Sequence, residues 1–297
     1  MADAELIAVP ADQEMLPPPP RFAALTRALR HPSLLAGAVI VAVVLFIVLV
    51  VPLFTALSPD AQDPLASFAP PSAEHLMGAD SFGRDLLARV LYGGRVTIMA
   101  SISVVILGGI VGSTVGLAAG YFGGAPGFVI MRLVDLLLAF PGILLALAVS
   151  AILGPGLENG VIAISVILVP VYARLVEGAT AEVRHLPYVD AAVTLGSGAW
   201  RIILRHVLPN VSPGIIVLTT TWLGISTLWI AALGFIGLGV QPPQPEWGEI
   251  LADGQNYITV AWWITVFPGA FLSAFVVGVN LIGDGLRDEL DPTLAPR

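Results

Sequence analysis

The chain has 297 residues, 57% of them hydrophobic and only 11% charged, with a mean hydropathy of +0.90 and a formal net charge of −8. An ordinary soluble domain is about 25% charged, so this chain cannot cover itself with polar side chains and is expected in lipid. All thirteen basic residues are Arg and there is no Cys, which excludes a P-loop lysine, Schiff-base chemistry, disulfides and thiolate metal sites.

Residues 1–31 are polar, acidic and Pro-rich, and are expected to form a disordered cytoplasmic tail. A charge-free run from Ser33 to Leu57 follows, longer than the ~20 residues that cross a bilayer. Its length and the Pro59 just beyond it favour an uncleaved span over a signal peptide, although Ala56-Leu57-Ser58 resembles a cleavage site. Five more apolar runs cover roughly 96–119, 128–152, 158–176, 212–237 and 260–282. Six spans put both termini on one side. With the ends inside, the inner segments hold Arg21, Arg27, Arg30, Arg132, Arg174, Arg184, Arg201, Arg205, Arg287 and Arg297. The outer segments hold only Arg84, Arg89 and Arg95, so the positive-inside rule makes both termini cytoplasmic.

The organisation expected is a tail over 1–31, a first span with an outer segment over 32–95, a transmembrane core over 96–285 containing an inner loop at 177–210, and a cytoplasmic tail over 286–297. In the outer segment, Phe82, Leu86 and Val90 recur at i, i+4, i+8, with Arg84, Asp85 and Arg89 opposite. This predicts an amphipathic helix over Ser81–Arg95, lying in the interface and carrying an Asp85–Arg89 pair. It is either a structural elbow or a contact site.

Gly108, Gly112, Gly116 and Gly120 are spaced four apart on the second span. On a helix they form one smooth ridge for close helix packing. The third span carries Arg132 and Asp135, expected to form an ion pair, and Phe140-Pro141-Gly142, expected to kink it. No span carries a series of carboxylates, which disfavours an ion-coupled transporter. His31, His75, His185 and His206 form no HExxH, so neither a metal site nor an intramembrane protease is indicated. The acidic balance argues against nucleic acid.

The inner loop is the informative segment. Pro187 to Leu195 reads as a short helix with Asp190 in its first turn, where the helix dipole favours an acid. Gly196 follows as a left-handed C-cap. Ser197 or Gly198 opens a second helix over Ala199–Leu208, with Arg201 and Arg205 one turn apart, which Pro209 is expected to end. Such a unit is a docking knob or a connector. The outer loop Gln241–Gly254 offers Glu246, Trp247, Glu249 and Asp253, either as a plug or as a partly exposed docking surface.

Tyr188–Pro209 resembles the coupling loop of ABC importer permeases, with Asp190-Ala191-Ala192, then Gly196, then Val207-Leu208-Pro209. Asp stands where that family has Glu, and Val207 departs from its Ile-x-Leu-Pro. Gly78–Asp85, Arg132–Asp135 with Phe140-Pro141, Leu238–Pro243 with Glu246-Trp247-Gly248, and Gly283–Asp288 with Asp291-Pro292 resemble the dipeptide/oligopeptide/nickel (DppC/OppC-like) permease family. The resemblance runs from about residue 30 to 292. It implies an all-α polytopic membrane protein with six transmembrane helices and the type I ABC importer (MetI-like) fold. It also implies a non-catalytic subunit that couples to its ATPase through Tyr188, Asp190, Ala191, Ala192, Gly196, Arg201, Arg205 and Pro209. The partners implied are a homologous DppB/OppB-type permease, two ATPase domains, an extracytoplasmic peptide-binding protein and membrane lipid. No cofactor is expected on this chain, ATP and Mg²⁺ belonging to the ATPase. The cargo implied is a dipeptide or oligopeptide, with nickel chelates or glutathione as alternatives. A stand-alone channel or scaffold is the reading from another class.

Overall fold

A computed structural model describes residues 31–55 and 57–290. Nine helices carry the described residues: α1 Pro32–Phe54, α2 Leu86–Phe122, α3 Gly124–Leu138, α4 Gly142–Leu153, α5 Leu157–Arg184, α6 Pro187–Thr194, α7 Ala199–Phe235, α8 Trp247–Gly254 and α9 Trp263–Leu290. Five of them, α1, α2, α5, α7 and α9, are each long and apolar enough to cross a membrane, and the bent pair α3–α4 makes up to six. The architecture is an all-α polytopic bundle, as expected. The expected tail over 1–31 lies outside the described residues except for His31. The segment assigned to the C-terminal tail begins inside α9, which runs to Leu290, and 291–297 lie outside the described residues.

The bundle is organised around α2 and α5, its most extensively packed pair. A Cβ built on Gly108, Gly112, Gly116 or Gly120 would lie 2.5 Å from Leu168 Cβ, 2.5 Å from the Val169 carbonyl, 2.6 Å from the Ala173 carbonyl and 2.7 Å from the Glu177 carbonyl, respectively. The four glycines therefore let the backbones of α2 and α5 meet. The gain is van der Waals contact along the whole ridge.

Four expectations are corrected. The helix expected over Ser81–Arg95 begins only at Leu86 and runs unbroken into the second span. Asp85 is its N-cap, accepting from Ala88 N at 2.9 Å, and it meets His75 rather than Arg89. The preceding residues turn because the Asp80 carboxylate accepts the backbone N–H groups of Phe82 and Arg84, and because Gly83 holds φ +70° against the Asp63 backbone.

Pro141 does not merely kink the third span. It separates α3 from α4 at 91°, since the residue before a proline is driven out of the helical region. Asp135 does pair with Arg132, at 4.0 Å as expected, and it is held more closely by Arg174 of α5.

Pro209 does not end the helix that follows Gly198. The chain widens into a π turn at Ile203–Val207, and α7 continues unbroken through it. Leu208 N bonds back five residues to the Ile203 carbonyl. The wider turn relieves the crowding that a proline ring meets in an α-helix. The same device precedes Pro52: a π turn at Phe46–Val50, with Val51 N bonding to the Phe46 carbonyl.

At some 37 residues, α7 is roughly 55 Å long at ~1.5 Å per residue. It carries α6 beyond its first residues and α8 beyond its last, so the two short helices mark opposite ends of the bundle.

Candidate functional site

At one end, α6 forms a knob built on a Schellman cap. Ser197 N donates to the Ala192 carbonyl at 3.0 Å and Gly196 N to the Val193 carbonyl at 2.9 Å. Gly196 holds φ +78°, the left-handed conformation this motif requires. Gly198, not Ser197, then stands at the N-cap of α7. Val189 and Ala192 bury the inner side of α6 against Val176 of α5 and Ile202, Val207 and Val211 of α7. Any displacement of the knob is therefore felt by two spans at once.

The outer side of the knob is apolar and uncovered. Leu195 is 85% exposed, Trp200 69% and Val193 53%, and Tyr188 is also exposed. Asp190, Ala191, Arg201, Arg205 and Pro209 are exposed around them. Ala192 alone of the expected coupling residues is buried. Tyr188 stacks at 6.2 Å from the His206 ring.

At the other end, the turn around Asp80 and the helix α8 are tied together by buried charges. Asp80, Arg84 and Arg89 are 2%, 3% and 1% exposed. Asp80 takes Arg84 Nε at 2.5 Å and Arg89 Nε at 3.5 Å. Arg89 Nη2 reaches Glu249 at 2.8 Å, and its Nη1 donates to the Pro243 carbonyl at 3.3 Å. Arg84 reaches Asp253 at 3.4 Å. Arg95 donates to the carbonyls of Val48 and Leu49 at 3.0 and 2.8 Å. The Val48 carbonyl is the one that Pro52, lacking an N–H, cannot satisfy. Each of the three Arg residues at this end thus has a structural task.

Glu246 caps α8, accepting from Glu249 N at 3.1 Å and from the Thr97 hydroxyl at 2.6 Å. Burial pushes its carboxyl above the ordinary carboxylate range. Burial also pushes Glu249 up to about 6, against the pull of Arg89, and raises Asp253. Trp247 is fully buried, with its indole N–H donating to the Val90 carbonyl at 2.9 Å. It cannot be the partly exposed anchor that the sequence suggested. Local spacing could not have found Arg89–Glu249 or Thr97–Glu246, which join residues 160 and 149 positions apart. The available signal was the cluster of three Arg in an otherwise acidic outer segment.

Residues 112–296 match the family model described as "Binding-protein-dependent transport system inner membrane component". The chain belongs to this family. The match takes in the knob, α8 and α9. The probable D,D-dipeptide transport system permease protein DdpC of Escherichia coli K12 is 42% identical over 261 residues, 88% of each chain. The dipeptide transport system permease protein DppC of Alkalihalophilus pseudofirmus is 43% identical over 260 residues, 88% of this chain and 86% of the relative. The glutathione transport system permease protein GsiD of Pectobacterium atrosepticum is 44% identical over 224 residues, 75% and 74%. Among solved structures, a chain of the MetNI methionine ABC transporter in inward-facing conformations superposes with a TM-score of 0.54 at 20% identity, covering 69% of this chain and 96% of that one. That likeness speaks for the MetI-like fold. This family member is thus a multi-pass inner membrane component of a transport system, a permease subunit.

Proposed function

We propose that this permease carries dipeptides or short oligopeptides inward as one half of an ATP-driven importer. What carries the reading is the uncovered apolar face of α6. It lies outside the apolar spans, where lipid cannot cover it, and an exposed apolar patch of this kind marks a protein contact. The occupant is an ATPase subunit. The chain has no lysine, so it has no Walker A loop of its own and depends on that partner for ATP hydrolysis. ATP and Mg²⁺ are bound by the partner, and this chain needs no cofactor. The α6 end is then cytoplasmic, as are both termini, in agreement with ten Arg residues against three. A homologous DppB/OppB-type permease completes the pathway, and an extracytoplasmic binding protein delivers cargo at the α8 end. Closure of the ATPases moves α6, and α5 and α7 carry that motion into the spans as alternating access.

The peptide cargo is supported by the names of two relatives that align along most of this chain. Glutathione is the second reading, favoured by the 44% identity to GsiD. The test is purification of the complex followed by uptake into vesicles. An ATPase should co-purify, and a labelled dipeptide should accumulate on ATP hydrolysis. A permease that purifies without an ATPase points to a channel or scaffold. Accumulation of glutathione but not of dipeptides moves the cargo.

A further inference from the structure

Most exposed faces of the spans are apolar, as on α1 (Val39, Val43, Phe46) and α2 (Met99, Ile106, Ile110). One face of α9 is not. Ser273, Val277, Asn280, Asp284 and Arg287 recur at spacings of 4, 3, 4 and 3 residues, and all are exposed. Such spacing keeps them in one line. From Ser273 to Arg287 the line is roughly 21 Å long at ~1.5 Å per residue, and it runs from the apolar stretch 260–282 out to the Arg287 end of the helix. The other sides of α9 are occupied. Gly278 and Gly285 pack on Ile40, Val41 and Leu34 of α1, and Gly283 packs on Thr220 of α7. The polar line therefore borders the groove between α9 and α7. The groove here measures about 560 Å³ and is lined by Thr221, Asp284 and Arg287 with Gly214 and Val217 of α7.

Ionisable and amide side chains are costly against hydrocarbon. In spans they face a bundle interior or a water-filled cavity. We propose that the α9 line, with Thr221, is the wall this chain contributes to a hydrated translocation pathway, and that Asp284 and Arg287 meet the ammonium and carboxylate ends of a zwitterionic cargo. The second half rests on the peptide reading above. The two charges are one helical turn apart, where Cβ atoms are ~5–6 Å from each other. That spacing suits a molecule whose own opposite charges are a few bonds apart. Asp284 lies deeper in the span than Arg287, so the field at Asn280, one turn further in, favours cations.

The lack of Cys makes the test direct. Asn280→Cys, Ser273→Cys and a control on the exposed apolar face of α1, Val43→Cys, are placed in the full transporter with partner chains freed of reactive cysteines. Asn280→Cys and Ser273→Cys should react with water-soluble methanethiosulfonates, and Val43→Cys should not. At Asn280→Cys the cationic reagent should react about tenfold faster than the anionic one. Adding Asp284→Asn should bring that ratio close to one, and Arg287→Gln should raise it. In vesicles, Asp284→Asn should slow uptake of a free dipeptide about tenfold at saturating loaded binding protein. Cysteines at 273 and 280 that stay unreactive from both sides would assign the line to the interface with the second permease and overturn the proposal. A reagent ratio indifferent to Asp284 would overturn its electrostatic role. If the wild type carries no peptide, the cargo reading fails by itself while the reagent pattern still decides the wall.

Discussion

Arg89 of α2 and Glu249 of α8 stand 160 residues apart in sequence and 2.8 Å apart in space, with the Arg side chain 1% exposed and the Glu side chain 11%. The guanidinium also faces Asp80 and the Pro243 carbonyl. A single side chain thus joins the turn after the first span, the start of the second and the short helix between the fifth and sixth.

A charge held this way is costly to orphan. Arg89→Met leaves Glu249 buried without its counter-ion and Asp80 with Arg84 alone, and breaking a buried pair on one side costs about 3–5 kcal/mol. The variant should be made in reduced amount and unfold at lower temperature in detergent. Arg89→Met with Glu249→Leu should recover part of that loss. Its measure is thermal unfolding of the purified complex, and a double variant no better than the single one would show that Asp80, not Glu249, is the partner that matters.

The same pair predicts a pH dependence. Glu249 has its pKa raised from 4.5 to about 6 by burial, ahead of the opposing pull of Arg89. The folded state then binds the proton more tightly than the unfolded chain. Stability from this group is fully present below pH about 4.5 and is lost as pH rises towards about 6. The change is at most on the order of 2 kcal/mol, less what solvent at the rim screens. Asp253 and Glu246, also raised, act in the same direction. Glu249→Gln should flatten the fall in unfolding temperature between pH 4.5 and 6.5. A variant whose profile retains the full wild-type slope would remove Glu249 as its source.

On the glycine ridge, position decides the cost. A Cβ at Gly112 would lie 2.5 Å from the Val169 carbonyl and 2.6 Å from Tyr172 Cβ, neither of which can rotate away. At Gly109 the nearest atoms are at 3.4 Å, on the Tyr172 ring. Gly112→Ala should force α2 from α5 and cost about 1–3 kcal/mol, as overpacking does. Gly109→Ala should cost far less. Side-by-side melting of the two variants checks this, and equal melting would mean that the helices are not in backbone contact.

Much of this was legible in the sequence because lipid simplifies the code. Apolar runs of span length, the four-residue glycine period and the Gly196 cap are local patterns, and each dictates a local structure. What escaped is non-local or depends on how a break is absorbed. The period of Phe82, Leu86 and Val90 suggested a helix from Ser81. The Asp80 turn and the Asp85 cap instead satisfy the backbone N–H groups that a helix would need. Proline at 209 read as a stop, and the π turn before it lets the helix continue. Trp247 read as an exposed anchor because it lies in a polar loop, yet its indole N–H finds the Val90 carbonyl across the bundle.

The knob provides the sharpest test, because Gly196 is constrained by its backbone alone. Its φ is +78°, and a Cβ added there would meet nothing within 4 Å. Gly196→Val therefore brings no clash with neighbours, only the strain of a β-branched residue in the left-handed region, about 1–2 kcal/mol or more. That is small for a packed bundle and large for a cap that orders an eight-residue helix. The variant should insert and assemble at wild-type levels yet lose most uptake and most stimulation of ATPase activity by loaded binding protein. Gly196→Asn, which tolerates this conformation, should retain both. Asp190 is exposed in the first turn of α6, so Asp190→Ala should weaken coupling and Asp190→Glu should be nearly silent. The assay is uptake and ATPase rate measured on the same reconstituted vesicles. Full uptake by an assembled Gly196→Val transporter would make the α6 segment a connector and leave coupling to another part of the chain.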